Sequence, residues 1–515
     1  MGAFLSRFAS LVTAVLSGFD RLVFRGTLIP LVRPRGMYTF LVRAGVRLLD
    51  FGDYVHRTSE AVKAAALREA VDGNRPIRYL ASSKHDKEDL SHQLLEEHPI
   101  ETGLVCAFSV VEPCMSFEYH RSQDKSERGL KLRQRKCLHI YKYYEHPRFG
   151  FMGTRIQTWF PFSVQIWMNG RVWLARQLAK AGRSNFHRED NYFTRLDTPA
   201  IAQRTMDRQL DVDWQHALDA IARSINPIHR QIFKPWPQSY YWSVYQSEWA
   251  TDLVFRDRQA LAAIYPELVR HATLHFQSGD VMRFLGRKCH GRFLGELTSS
   301  FKQRQEGVRV KHWVQGNSIK MYDPHNVLRI ETTMAKPTGF KVYRPLTNDP
   351  DGKLGWRPLR KGIADIHRRA EVCQQANNRY LDALAVVEDS TRLRELLDQV
   401  AAPVVDRGHR VRALRIGDAD DIALLRAVSR GEFAINGFRN RDIRVVLHPR
   451  ASNLAQTRRQ AAAVGRRLRL LRAHGLIRKV PKSHRYRLTE KGTKLVAALF
   501  AARDATLKQL LGSAA

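Results

Sequence analysis

The chain is 515 residues long and carries 85 Lys and Arg against 50 Asp and Glu, a formal net charge of +35. Hydrophobic residues make up 44% and aromatics 10%, enough for several packed cores, which excludes a disordered basic tail protein. Five cysteines in that length exclude a disulfide framework and fit a reducing compartment, while the positive excess makes a polyanion the expected partner, nucleic acid before a membrane surface.

The apolar stretch from Phe8 to Phe19 is shorter than the roughly 18–20 residues a membrane span needs, and Asp20-Arg21 ends it. Phe4, Phe8, Leu11, Val15 and Phe19 predict an amphipathic first helix. Further helices are expected over 38–51 and 59–71, so residues 1–102 read as mainly helical. Strand-like sequence begins at 103–111. Residues 121–148 turn basic, with nine Lys and Arg against three acids. Alternating aromatic and β-branched residues over 138–144 and 154–168 predict antiparallel strands, closed by an Asn169-Gly170 turn and a helix over 172–180.

Residues 199–225 read as helical, and an aromatic cluster follows over 234–255. Its Tyr241, Tyr245 and Trp249 lie at i, i+4, i+8, the spacing of an aromatic core stripe on a helix. Stacking on unpaired bases is the other reading, for which Trp236, held between Pro235 and Pro237, is the best exposed candidate. On the same reading Glu248 and Asp252 sit one helical turn apart, either holding a cation or making a polar face. A helix broken at Pro266 is expected over 261–276, then strands over 308–313, 318–322 and 327–333. Residues 352–358 read as loop and 363–387 as a long helix, and Pro403, Gly408 and Gly417 mark a linker. No internal repeat is visible. The chain is therefore expected to be a multidomain mixed α/β (α+β) protein, with a helical region (1–102), a basic α/β body (103–345), a helical connector (346–420) and a C-terminal domain (421–515).

That last segment holds 21 Lys and Arg against five acids, so +16 of the net charge. Its predicted order is two short helices, a long helix from Thr457, two strands and a last helix. On the long helix Val464, Leu468 and Leu471 face one way, Arg459 and Arg466 the other, and Arg458, Arg467 and Arg469 flank them. LRLLRAHGLIRKV followed by RYRLTEKG resembles the winged helix-turn-helix domain of MarR-like and ArsR-like regulators. The resemblance implies that the long helix enters a major groove while Lys482, His484 and Arg485 on the wing touch phosphate or minor groove.

Two further resemblances bear on the body. KHWVQGNSIKMYDPHNVLRIETT (311–333) is similar to rolling-circle replication initiators of the filamentous-phage type, in which a K-x-Y-x-K hairpin precedes an L-R-x-E strand. Pro324 stands in place of the second Lys, and Cys137-Leu138-His139 is the nearest approach to the H-x-H metal pair of those enzymes. The resemblance makes Lys311 and Lys320 part of a basic hairpin following a nucleic-acid backbone; the other reading has Arg329 and Glu331 pairing across a sheet edge. FDRLVFRG, RIQTWFPF, NGRVWLARQL and NGFRNRD resemble a bacterial protein family that often carries the same C-terminal winged helix, which implies a bacterial, cytoplasmic setting and no particular activity.

Cys106, Cys114, Cys137 and His139 have ligand chemistry but irregular spacing, and Cys289-His290 are adjacent, so no metal site is assigned. No residue is assigned a catalytic role. The expected function is binding of duplex DNA by the winged helix and of a second strand or RNA by the body, with no membrane partner. The alternative is a mobile-element nickase, transposase or replication initiator, for which Mg²⁺ or Mn²⁺ would be required. A second alternative is a ligand-responsive transcriptional regulator.

Overall fold

The computed structural model describes the chain apart from residues 121, 123–128, 275, 277, 288–296, 305–306, 347–348, 350, 386–392, 407, 431–432, 434–436, 449–452, 482 and 505–515. The fold is mixed α/β. Helix α1 (Gly2–Arg7) leads into a long strand β1 (Val12–Thr27), followed by α2 (Pro34–Arg43), α3 (Phe51–Asp72), β2 (Ile77–Leu80) and α4 (Lys87–Glu97). A meander of β3 (Gly103–His120), β4 (Gly129–His146), β5 (Gly150–Gln157) and β6 (Val164–Asn169) ends in α5 (Gly170–Lys180). The hairpin β7 (Phe186–Glu189) and β8 (Tyr192–Leu196) and helices α6 (Pro199–Asp207), α7 (Trp214–Ile225) and α8 (His229–Ile232) lead to a second long strand, β9 (Tyr241–Phe255).

After β9 the pattern repeats. Helices α9 (Arg258–Leu274) and α10 (Ser278–Phe284) precede a second meander, β10 (Leu297–Arg304), β11 (Gly307–Val314), β12 (Asn317–Tyr322) and β13 (Val327–Met334). The small hairpin β14 (Lys341–Arg344) and β15 (Gly355–Pro358) comes next, then α11 (Ile366–Leu384). Among the described residues, eleven strands form one sheet in the order β10-β11-β12-β13-β9-β1-β6-β5-β4-β3-β2. Each half therefore has a central strand, helices, a four-stranded meander whose last strand returns antiparallel to the central strand, and a closing helix. The two central strands pair with each other from Val12↔Phe255 to Thr27↔Tyr241. The repeat is one of topology, and no sequence repeat accompanies it.

The C-terminal region contains α12 (Leu393–Ala401), the hairpin β16 (Val404–Asp406) and β17 (His409–Val411), α13 (Ala419–Val428), α14 (Asn440–Leu447), α15 (Leu454–Ala473), β18 (Ile477–Lys479), β19 (Tyr486–Leu488) and α16 (Glu490–Asp504). Its elements follow the predicted order closely. Leu468 and Leu471 of α15 pack with Leu424, Ile443, Ile477 and Leu495 in a core separate from that of the sheet.

Two expectations are corrected. The apolar N-terminus is not one amphipathic helix, because α1 stops at Arg7 and Val12–Thr27 is the central strand β1. A strand buried on both faces reads as a continuous apolar run, and a spacing of four satisfies a strand as well as a helix. The same ambiguity hid β9, where the aromatic cluster is strand and not helix. One hydrophobic core runs from Phe4 to Ala385, so residues of β1 and α11 pack together with the body. No helix among the described residues is long and apolar enough to cross a membrane.

Cross-strand partners share a face of a sheet, so the register sorts the side chains. On the helical face, Phe19 meets Trp249 edge-on at 4.8 Å, and Asn377 of α11 donates to the carbonyls of Trp249 (3.1 Å) and Ile330 (3.0 Å). The opposite, polar face carries a row Trp313, Ser318, Thr333, Glu248, Arg21, Asn169 and, beside it, a row Lys311, Lys320, Glu331, Ala250, Gly18.

Candidate functional site

Asp20, Glu248 and Glu331 come from three adjacent strands, and their carboxylate oxygens lie within 4.8 Å of one another. A bulge makes this possible. Phe19 pairs with Trp249 and Arg21 with Glu248, so Asp20 is left over on β1 and turns onto the polar face beside Arg21. The N-terminus of α5 closes the site. Asn169 Oδ1 accepts from the backbone N–H of Arg171 (2.7 Å) and Val172 (3.0 Å), a side-chain cap that fixes Arg171 at the start of the helix. Gly170 allows this approach, since a Cβ there would stand 1.7 Å from the Phe19 carbonyl oxygen.

Two buried arginines hold the floor of the site. Arg171 donates to Asp252 Oδ2 through Nε (3.1 Å) and Nη2 (2.8 Å). Arg329 donates to the same carboxylate through Nε (2.5 Å) and Nη2 (2.8 Å) and reaches Asp20 Oδ1 through Nη1 (3.3 Å). Its guanidinium also lies 4.4 Å from the Tyr192 ring centroid. Asn191 Nδ2 donates to Asp20 Oδ1 (2.8 Å). Glu331 receives the Tyr322 hydroxyl (2.9 Å) and pairs with Lys320 Nζ (2.7 Å).

Charge divides the carboxylates. Burial acts upward on Asp252, but the two guanidiniums outweigh it and hold the group below its ordinary value. Glu331 is likewise held low, with Lys320 and Arg329 outweighing burial. Burial raises Asp20 despite Arg329. Glu248 is pushed up to about 7, first by burial and then by the charge of Glu331, with Lys320 opposing. Three close carboxylates, two of which resist ionising, form a donor set that a divalent cation would neutralise, and oxygen ligands of this kind suit Mg²⁺ or Mn²⁺.

Sequence reasoning had named Glu248 and Asp252 but missed Asp20 and Glu331. The available signal was a lone acid inside an apolar strand run, as in GFDRLVF and LRIET, because an unpaired acid is rarely buried. Arg329 and Glu331 do not pair with each other across a sheet edge. They lie on the interior strand β13 and engage different partners.

The other predicted residues lie apart from this centre. On α15, Arg458, Arg459, Arg466 and Arg469 are exposed, whereas Arg467 is paired with Asp420 at 2.6 Å. His484 is exposed, Arg485 packs over the Tyr343 ring at 4.0 Å, and Lys482 lies outside the described residues, as do Cys289 and His290. Trp236 is half-buried on the body core with Arg43 stacked on it at 5.0 Å, which removes it as the best exposed aromatic. Lys311 and Lys320 do come together as cross-strand partners, with Lys320 directly opposite Glu331. Compared with known protein families, with curated proteins and with solved structures, the chain matches none.

Proposed function

We propose that the protein binds nucleic acid through two parts, a winged-helix-type C-terminal region that reads duplex DNA and a basic α/β body that engages a second strand or RNA. The observation that carries this reading is α15. It buries Val464, Leu468 and Leu471 while presenting Arg458, Arg459, Arg466 and Arg469 to solvent, as a helix seated between a core and a polyanion would. The helix–helix–helix–hairpin–helix order around it, with Phe438 bridging to Tyr486 beside the hairpin, fits the same use.

The test is a salt series of duplex binding with the full chain. The slope of log K against log salt should become shallower by about 0.9 for each of these four arginines that touches a phosphate when it is replaced by Ala. Unchanged affinity and slope in the fourfold variant would sink the duplex assignment. A second reading, metal-dependent phosphodiester cleavage, is favoured by the carboxylates of Asp20, Glu248 and Glu331, which would place a cation to polarise a phosphoryl oxygen and activate water. Its test is nicking of supercoiled and single-stranded DNA in Mn²⁺ or Mg²⁺ that disappears in Glu248→Gln.

A further inference from the structure

The polar face of the sheet is not uniformly open. Over the first half, α4 covers it. Over the second half, among the described residues, three aromatic rings stand in solvent: Tyr241 (51% exposed), Tyr245 (44%) and Trp313 (43%). The register places Tyr241 opposite Thr27 and Trp313 in the row that ends at Glu248 and Arg21, both on the polar face. Tyr245 is a bulged residue, left over where Gln246 pairs with Val23 and Val244 with Phe24. Its neighbours Val244 and Ser247 are buried under α11, whose Arg369 donates to the Val244 carbonyl (3.3 Å) and to Ser247 Oγ (3.3 Å), so the exposed ring belongs to the other side.

Cations surround these rings. Lys311 pairs with Lys320 across β11 and β12, Arg309 pairs with Lys302 across β10 and β11, and Arg21 and Arg25 project from β1. Lys311 is held below its ordinary value first by burial and then by the like charges of Lys320 and Arg309, a crowding that a bound anion relieves. Rings at strand spacing among cations suit one occupant in particular. Every base has an apolar face to stack, and an unpaired strand can splay its bases onto a sheet while its phosphates follow the cations, which a closed duplex cannot do.

We infer that the open half of the polar face is a platform for single-stranded nucleic acid, with bases stacked on Tyr241, Tyr245 and Trp313 and phosphates on Lys311, Lys320 and Arg25. This rests on the proposed nucleic-acid function and assigns the body its substrate class. The strand crosses the row that leads to Glu248, so a phosphodiester passes next to the carboxylate centre.

The experiment is anisotropy titration of the full chain with labelled oligo(dT), oligo(rU) and a hairpin duplex. Tyr241→Ala, Tyr245→Ala and Trp313→Ala should each weaken the single strands about 5- to 150-fold and leave the duplex untouched. Trp313→Phe should restore most of the loss, showing that a ring is what matters. Lys311→Ala should reduce the single-strand salt slope by about 0.7. The relative affinity for dT and rU says which of the two strands the face prefers, and binding of either more tightly than the duplex supports the platform. Single strands held equally well by the threefold aromatic variant, or not held at all by a chain that binds the duplex, would overturn the inference and leave the duplex assignment standing. Aromatic variants that weaken the duplex as much as the single strands would overturn it too. Failure to bind any of the three probes would remove this inference together with the function it rests on.

Discussion

The two halves of the sheet share a topology and differ in what covers the polar face. In the first half α4 lies on the polar face: Lys87 Nζ pairs with Glu112 (3.2 Å) and sits 5.0 Å from the Tyr141 ring centroid, the Tyr141 hydroxyl donates to Glu112 (2.7 Å), and His92 stacks on Phe151 at 4.1 Å. Tyr141, Tyr143 and Phe151 thereby become core. The described residues of the second half place no such helix over β11 and β12, and Trp313, Lys311 and Tyr245 become surface. Residues of one chemical class on one architecture are core or surface according to whether a helix lies over them. The seam between the covered and open halves is where the carboxylate centre sits.

The largest expected effect is at that seam. Arg329 is fully buried between Asp252 and Asp20, so Arg329→Met leaves Asp20 short of its main counter-charge and Asp252 with Arg171 alone. Breaking a buried pair from one side costs about 3–5 kcal/mol, and urea denaturation should show a loss of that size. A loss under about 1 kcal/mol would mean the halves are not joined through this network. Next comes the cover itself. Leu94 of α4 is fully buried against the sheet, and Leu94→Ala should cost about 2–4 kcal/mol by the same measurement. Single-strand affinity should not change, since Leu94 lies in the covered half, away from Trp313 and Lys311.

How far the sequence foretold this follows the same physics. The meanders were legible because their strands alternate, as in LHIYKYY, or are set apart by turns such as Asp323 to Asn326. The C-terminal helices were legible because their apolar and basic sides separate at helical spacing. The central strands were not. β1 and β9 are buried on both faces over much of their length, so no alternation survives, and residues four apart share a face in either secondary structure. Of the carboxylate centre, Glu248 and Asp252 were in view only as neighbours on an assumed helix. Asp20 joins them through a bulge and Glu331 through a pairing between strands far apart in the sequence, which no local pattern encodes. The doubled topology was hidden for a related reason, since only strand order repeats, not residues.

A smaller effect tests whether the seam is built around an unneutralised acid. Glu248 is pushed from its ordinary value of 4.5 up to about 7 by burial and by Glu331. A carboxylate raised on folding binds its proton more tightly in the folded state, so stability from this group is full below about 4.5 and is lost as pH climbs to about 7. Glu248→Gln stays neutral throughout. Wild type and variant should therefore match in acid, part as pH rises from about 4.5 to about 7, and stay apart above that, with the variant more stable by at most about 3 kcal/mol in a pH series of denaturation curves. Parallel curves would show that Glu248 ionises freely. Mn²⁺ added at pH 8 should raise the melting temperature of wild type more than that of the variant, because only wild type offers all three carboxylates.

The smallest effect separates the halves most sharply, because it concerns a residue the open half does not use for folding. Trp313 and Trp249 lie in the same sheet on opposite faces. Trp249 is 6% exposed, meets Phe19 edge-on, and donates Nε1–H to Gln374 (2.8 Å), so its ring is part of the core. Trp313 is 43% exposed on a row whose neighbours are Ser318 and Thr333. Burial sets the cost of truncation, so Trp249→Ala should cost about 3–5 kcal/mol while Trp313→Ala should stay within about 0.5 kcal/mol of wild type. A stable chain that has lost a large exposed ring shows that the ring is not held in place by folding. If Trp313→Ala instead costs as much as a core tryptophan, the second half is covered like the first, and the contrast between the halves disappears.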